Sequence, residues 1–337
     1  MFHVKHEQTP FFRMFHVKHT ERIDAIVSRE TGNQTLYTEL YHKNKGVSIC
    51  TQNAKEARMR IALIADIHSN LLALEAVMKA IKKQTPDMIL SLGDQVNLGP
   101  APRETLDLLK AENAVCLHGN HERYILSAMD GDPGYAGANF DSLRYNARLL
   151  TKEEITFPKE IEIEGVTFCH AMPGDDRFPV FDEKRAIPLL KQMTFEKPTH
   201  IICGHGHNPT HISLPGLTID SIGSAGCMDD GVPGTAPYAL LTIEKGETFL
   251  RPYYVSYPAG EMKALFMRCG MAEYCPTMAR IACLQMMHNQ DYLVRFVNMA
   301  LALSKTREET HITKETWADT DAAFDWPDGI TTAEFWK

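Results

Sequence analysis

An α/β fold is predicted for most of this 337-residue chain. Three observations predict it. From Met59 onward, short apolar runs are followed by polar or Gly-rich loops and then by residues at helical spacing. That unit recurs in succession between residues 59 and 122. The second half alternates further apolar runs with Gly and Pro turns before a helical tail. Strand, loop, helix, repeated, is the pattern of a sheet covered by helices.

The first unit is a buried strand over Arg60–Ala65, then the loop Asp66-Ile-His-Ser-Asn70, in which Ser69 or Asn70 is suited to cap a helix. Leu71, Leu74, Met78 and Ile81 follow at helical spacing. A second strand, Met88–Leu92, leads through a Gly-rich loop to a helix over Arg103–Glu112. The third, Ala114–Leu117, leads to Gly119-Asn120-His121-Glu122. Val166–Cys169 then ends in His170, and His200–Cys203 ends in Gly204-His205-Gly206-His207. Leu217–Ile222, Tyr238–Glu244 and Thr248–Val255 complete the strands. From Pro258 the pattern is helical, with Leu293, Phe296, Val297, Ala300 and Leu301 forming an i, i+3, i+4 stripe. The Met-rich stretch Met262–Met287 reads as helix packing, and residues 306–337, polar with isolated aromatics, receive no assignment.

Residues 1–58 differ from the rest. They are polar, lack sustained periodicity and contain MFHVKH twice, at Met1–His6 and Met14–His19. A repeat this short cannot be a structural unit, since solenoid repeats need about 20 residues or more. One back-translation of it is its own reverse complement and resembles the inverted-repeat site of bacterial chromosome partitioning. Two readings follow: translated upstream DNA ahead of a working protein that starts at Met59, or a disordered tail with a chance repeat. The expected organisation is therefore this extension, a domain over 59–257 and a helical extension over 258–337.

Composition narrows the function classes. With 44% hydrophobic residues the chain can bury a core, and its 43 acidic against 35 basic residues give a net charge of -8. That balance argues against a dedicated nucleic-acid binder, which needs a basic face. No apolar run approaches the ~20 residues that span a bilayer, and no apolar secretory region stands near the N-terminus. The eight cysteines include no CxxC pair. Scattered single cysteines in a chain of this size point to reduced thiols and a cytoplasmic setting.

The chemistry is concentrated in the segments Asp66-Ile-His68, Gly93-Asp94, Gly119-Asn120-His121-Glu122, His170 and Gly204-His205-Gly206-His207, each directly after an apolar strand. In open α/β sheets the carboxyl ends of strands are where ligands bind. Asp66 and His68 are two apart, as are His205 and His207, so an extended backbone would point each pair to one side. One histidine at a strand end is more often a satisfied polar residue than a ligand. Two carboxylates, an amide and several imidazoles at successive strand tips exceed what one ion needs. They suit two transition-metal ions about 3.5–4 Å apart, with a carboxylate bridging.

The order DxH, GD, GNH(D/E), H and GHxH over residues 59 to about 257 resembles the calcineurin-like metallophosphoesterases, specifically their small prokaryotic phosphodiesterase-like branch. That resemblance implies a four-layer αββα sandwich with a dinuclear site. It assigns Asp66, His68 and His207 to one metal, Asn120, His170 and His205 to the other, and Asp94 as the bridge. His121 would be the general acid for the leaving oxygen. The implied reaction is hydrolysis of a phosphomonoester or phosphodiester by a metal-bridging hydroxide. The cations could be Mn, Fe, Zn, Co or Ni, which such donors all accept.

The chain departs from the family pattern at two points. Many members have Asp where Asn97 stands here, and an amide can hydrogen-bond an imidazole without stabilising imidazolium by charge. Protein Ser/Thr phosphatases carry an Arg where Leu98 stands, which argues against that activity. Arg103 and Arg123 are candidates for gripping phosphate in its place, weighed against solvated helix-surface residues, and Asn97 is a further candidate substrate contact. His118 reads as packing and His211 as surface. Asp229-Asp230-Gly231 reads as a turn near the crevice, and Cys269, Cys275 and Cys283 as small core residues. The expected partner is a phosphate-ester small molecule, a nucleotide among the candidates, with no membrane and no nucleic acid. The competing reading is a metal-loaded scaffold whose helical extension binds a partner.

Overall fold

The computed structural model describes residues 23–27, 47–51, 58–180, 182–195 and 199–337. Its strands are β1 (Ile23–Val27), β2 (Val47–Thr51), β3 (Arg58–Ile64), β4 (Met88–Ser91), β5 (Val115–Cys116), β6 (Glu160–Ile163), β7 (Val166–Cys169), β8 (Thr199–Cys203), β9 (Thr210–Leu214), β10 (Leu217–Ser221), β11 (Thr235–Glu244) and β12 (Glu247–Ser256). Its α-helices are α1 (Leu71–Gln84), α2 (Pro102–Ala111), α3 (Asn120–Met129), α4 (Asp141–Ala147), α5 (Glu183–Leu190), α6 (Met262–Arg268), α7 (Met271–Tyr274), α8 (Pro276–His288), α9 (Leu293–Thr306), α10 (Lys314–Ala323) and α11 (Thr332–Phe335).

The strands form two mixed sheets, in the orders β12-β11-β3-β4-β5 and β1-β2-β6-β7-β8-β10-β9. Period-two alternation explains how they stack. Along β3, Ile61 and Leu63 face a core shared with Phe168 of β7, Ile202 of β8 and Leu241 of β11, so this core lies between the sheets. The alternate residues Ala62 and Ile64 face the opposite way, toward Leu74, Val77 and Ile81 of α1. On the far side of the second sheet, Ile201, Cys203 and Ile219 pack against Ala186 and Leu190 of α5. Helix, sheet, sheet, helix is the expected four-layer αββα sandwich.

Several elements begin and end where local chemistry directs. Asn70 caps α1 by accepting the Ala73 amide at 3.1 Å, and Pro102 opens α2 at its first position. Within residues 1–58, β1 and β2 pair in parallel and β2 pairs in parallel with β6. Both copies of MFHVKH lie outside the described residues.

The helical tail is continuous with the body. Phe266, Met278, Ile281 and Phe296 belong to the same apolar cluster as α1. Phe296 and Ala300 of the expected stripe are fully buried, whereas Leu301 is 50% exposed. The helix instead turns Ser304 inward, 5% exposed. The unassigned segment 306–337 forms α10 and α11, and its Trp317, Phe324, Trp326 and Phe335 enter that cluster. Among the described residues, no helix is long and apolar enough to cross a membrane.

Candidate metal centre

Each candidate segment sits just past the carboxyl end of its strand: Asp66 after β3, Asp94 after β4, Asn120 after β5, His170 after β7 and His205 after β8. β3, β4 and β5 run parallel in one sheet, and β7 and β8 run parallel in the other. Parallel strands end on the same side, so the tips of both sheets meet over one crevice.

The backbone there is not extended. Asp66, His68, Ser69, Asp94 and His205 all have positive φ, between 51° and 63°. The expected period-two alternation therefore does not account for the side chains converging. Tight left-handed turns do so instead, held by backbone bonds from His68 N to the Asp94 carbonyl and from Ser69 N to the Gln95 carbonyl, 3.0 and 2.9 Å. Non-glycine residues in this region are uncommon and strained, and such strain concentrates at functional sites. Close approach explains the neighbouring glycines. A Cβ on Gly119 would lie 2.1 Å from Asp94 Oδ1, and one on Gly93 would lie 2.6 Å from His170 Nδ1.

The ligand atoms face one another. His68 Nε2 and His207 Nε2 are 3.1 Å apart, and each is 4.0 Å from Asp66 Oδ1. His170 Nε2 lies 3.3 Å from Asp94 Oδ2 and 2.8 Å from Asn120 Oδ1, which is itself 3.0 Å from His205 Nδ1. Asp94 Oδ2 is also 4.0 Å from His68 Nε2, so it stands between the two groups. Asp66, His68 and His207 form one compact set able to hold a metal, and Asp66, Asp94 and His170 another. The donors fit cations. Asp66 Oδ1 is buried without a hydrogen-bond partner. An unpaired buried carboxylate oxygen is costly, and a metal is the usual remedy.

The electrostatics agree. Burial pushes the Asp66 carboxyl up to about 6. Burial also opposes charge on Asp94, but the His170 imidazole outweighs it and holds Asp94 well below the usual carboxylate range. Two imidazoles have their outer nitrogens anchored: His170 Nδ1 on the Leu92 carbonyl at 2.9 Å and His207 Nδ1 on Asp229 Oδ1 at 3.1 Å. With Nδ1 donating outward, Nε2 of each ring points into the crevice. Burial opposes charge on His170, but Asp94 outweighs it and raises the ring to about 10, so that Nε2 carries a proton there which a bound cation would replace.

The remaining candidates are placed as follows. His121, in the first turn of α3, lies with Nε2 3.8 Å from Asp94 Oδ2, and Asn97 Nδ2 reaches its Nδ1 at 2.6 Å. Arg123 grips Asp176 with two nitrogens at 2.7 and 3.0 Å. Arg103 pairs with Glu154 at 2.7 Å and with the Leu149 carbonyl. His211 bonds Asp220 at 2.7 Å on the surface. His118 is 8% exposed, and burial lowers it to about 4.

Sequence reasoning gave no role to Glu122. Its carboxylate accepts the amides of Gly119, Asp94, Gln95 and Val96 at 2.8, 3.0, 2.8 and 3.3 Å. It thereby ties the GD loop to the GNHE loop. The available signal was a glutamate three residues after Gly119 at a helix start, the half of a capping box in which the glutamate reaches back to the N-cap amide.

Known proteins resemble this chain in sequence and in fold. Residues 59–225 match the sequence model of the calcineurin-like phosphoesterases. This part of the chain belongs to that family. An uncharacterized protein of Methanocaldococcus jannaschii is 33% identical over 159 residues, 44% of this chain, and the match spans 63% of that relative's length. A metallophosphoesterase from Sphaerobacter thermophilus superposes with a TM-score of 0.51 at 23% identity, over 68% of this chain and 100% of that one. A hypothetical protein from Pyrococcus horikoshii gives 0.51 at 18% identity, over 69% and 99%. These two structures share the phosphoesterase fold with this chain.

Proposed function

We propose that the crevice hydrolyses a small-molecule phosphate ester with two divalent transition-metal ions. Asp66, His68 and His207 would hold one ion, Asn120, His170 and His205 the other, with Asp94 between them. The observation that carries this reading is that His68 and His170, from the strand tips of different sheets, both approach Asp94 Oδ2, at 4.0 and 3.3 Å. When bound, such a pair of ions supplies an acidified water and neutralises charge on the phosphate oxygens.

The protein's own groups do the rest. Asn97 donates to His121 Nδ1, so the ring proton sits on Nε2, facing the Asp94 side of the crevice. Burial lowers His121 to about 4, so it meets substrate as a neutral imidazole. Its Nε2–H is placed to donate toward an ester oxygen as the bond breaks, which favours good leaving groups such as nucleotidyl or aryl phosphates. Glu122 keeps the Asp94 turn in shape. Arg123, already paired with Asp176, would reach a phosphate only by giving up part of that pair.

The test is metal analysis and turnover on the full chain. Stripped protein resupplied with manganese should take up two ions and hydrolyse p-nitrophenyl phosphate or bis-p-nitrophenyl phosphate, their ratio separating monoesterase from diesterase. Two bound ions with no turnover of either probe would favour the metal-loaded scaffold instead, a reading that draws on Asn97. No uptake of metal would end both.

A further inference from the structure

The carboxylate of Asp229 receives two donors. His207 Nδ1 lies 3.1 Å from its Oδ1, and Gln285 Nε2 lies 2.8 Å from the same oxygen. Gln285 belongs to α8, in the helical tail, and is 1% exposed. Its other end is also engaged: Oε1 accepts the amides of Tyr292 and Leu293, 3.3 and 3.0 Å, at the start of α9. One amide side chain thus joins the α8–α9 corner to the carboxylate behind a crevice histidine.

The backbone reinforces the connection. The Asp229 carbonyl accepts Asp291 N at 2.9 Å, and Gly231 N donates to the Asn289 carbonyl at 2.9 Å. Asn289, which ends α8 in the left-handed conformation, sends its side-chain nitrogen to the carbonyls of Val232 and Thr235, 2.7 and 2.8 Å. Asp230 and Gln290 form an antiparallel bridge. The turn carrying Asp229 is therefore pinned from both sides by the corner between α8 and α9.

We infer that Asp229 and Gln285 are positioning residues, through which the C-terminal helices fix the ring orientation and tautomer of His207. The inference rests on the two-metal reading above and extends it to a residue pair outside the ligand set. A carboxylate behind a metal-ligating imidazole fixes which nitrogen carries the proton, and losing such a partner typically weakens metal binding about 10–100-fold. The tail, on this account, completes the site of His207 and leaves the Asn120–His170–His205 group alone.

The experiment is manganese titration of the metal-stripped full chain, by calorimetry or chelator competition, with unfolding measured on the same metal-free samples. Asp229→Ala should weaken one of the two binding events about 10–100-fold and leave the other within about twofold. Asp229→Asn, which keeps an acceptor oxygen, should restore much of the loss. Gln285→Glu keeps the acceptor for Tyr292 and Leu293 but sets a carboxylate against Asp229. It should weaken the same single event while the metal-free protein stays folded. Unchanged affinity for both ions in Asp229→Ala, with wild type binding two, would overturn this inference and spare the two-metal reading. Equal weakening of both events that follows a loss of metal-free stability would also overturn it. A wild-type protein that takes up no ion would sink both.

Discussion

The crevice and the C-terminal helical layer are each assembled from residues far apart in the chain, yet they differ in what their residues disclose one at a time. In the crevice, Asp66, Asp94 and His170 are at most 1% exposed. Burying such groups is costly without a compensating partner, so each announces a purpose by its type and place. In the helical layer, Phe296 is surrounded by Trp317, Phe324 and Trp326 with ring centroids 4.7, 5.0 and 5.7 Å away. Nothing about any one of these aromatics indicates that it will meet the others. The difference is between groups whose own desolvation demands an explanation and groups whose burial depends on which surfaces come together. Arg280 stands between the two cases. It is fully buried, lies over the Trp326 ring at 4.0 Å and pairs with Asp328, all within the helical layer.

Four measurements would break or sharpen this contrast. The largest effect should come from Asp94→Ala, which removes the shared carboxylate. Turnover of p-nitrophenyl esters with manganese should fall by roughly 1000-fold or more, on the scale of removing a principal electrostatic group. Full activity would separate the crevice from the chemistry. Next, Phe296→Ala should lose about 3–5 kcal/mol of stability in denaturant unfolding, since it leaves a cavity among three aromatic rings. A loss below about 1 kcal/mol would mean that the helical layer is not part of the cooperative core.

The third measurement addresses the proton donor. His121→Ala should slow alkyl phosphate esters at least tenfold more than p-nitrophenyl esters, because a poor leaving oxygen depends most on a donor. Equal slowing of both would deny His121 that role. The smallest effect concerns the Arg123–Asp176 pair near the crevice. Burial opposes ionisation of Asp176, but Arg123 outweighs it and holds the carboxyl below its usual 3.8. A depressed folded value means stability that is present above 3.8 and lost as pH falls through the lower folded value. Asp176→Asn should therefore be about 1–2 kcal/mol less stable near neutral pH. Its deficit should shrink in unfolding curves recorded below pH 3.8. A deficit constant across that range would place the contribution in packing.

The candidate ligand set was legible in the sequence because each motif follows a strand, and parallel strands bring their ends to one side. The route by which the side chains converge was not legible. Spacing of two residues suggested extended backbone at Asp66 and His68, while the observed turns are left-handed and held by the carbonyls of Asp94 and Gln95. Those acceptors lie on another loop. Glu122 and Asp229 escaped for a similar reason, since what gives each its role is a partner in a different segment.

By itself the sequence determined the α/β layering, the strand tips that carry carboxylates and imidazoles, and the capped start of α1, because periodicity and side-chain type act over a few residues. Only the tertiary structure decided that the polar tail after residue 306 closes an aromatic core, that Leu301 faces solvent while Ser304 turns inward, and that Gln285 reaches the carboxylate behind His207. Those outcomes depend on which surfaces pack together, and packing is set by contacts between segments that no local window of sequence contains.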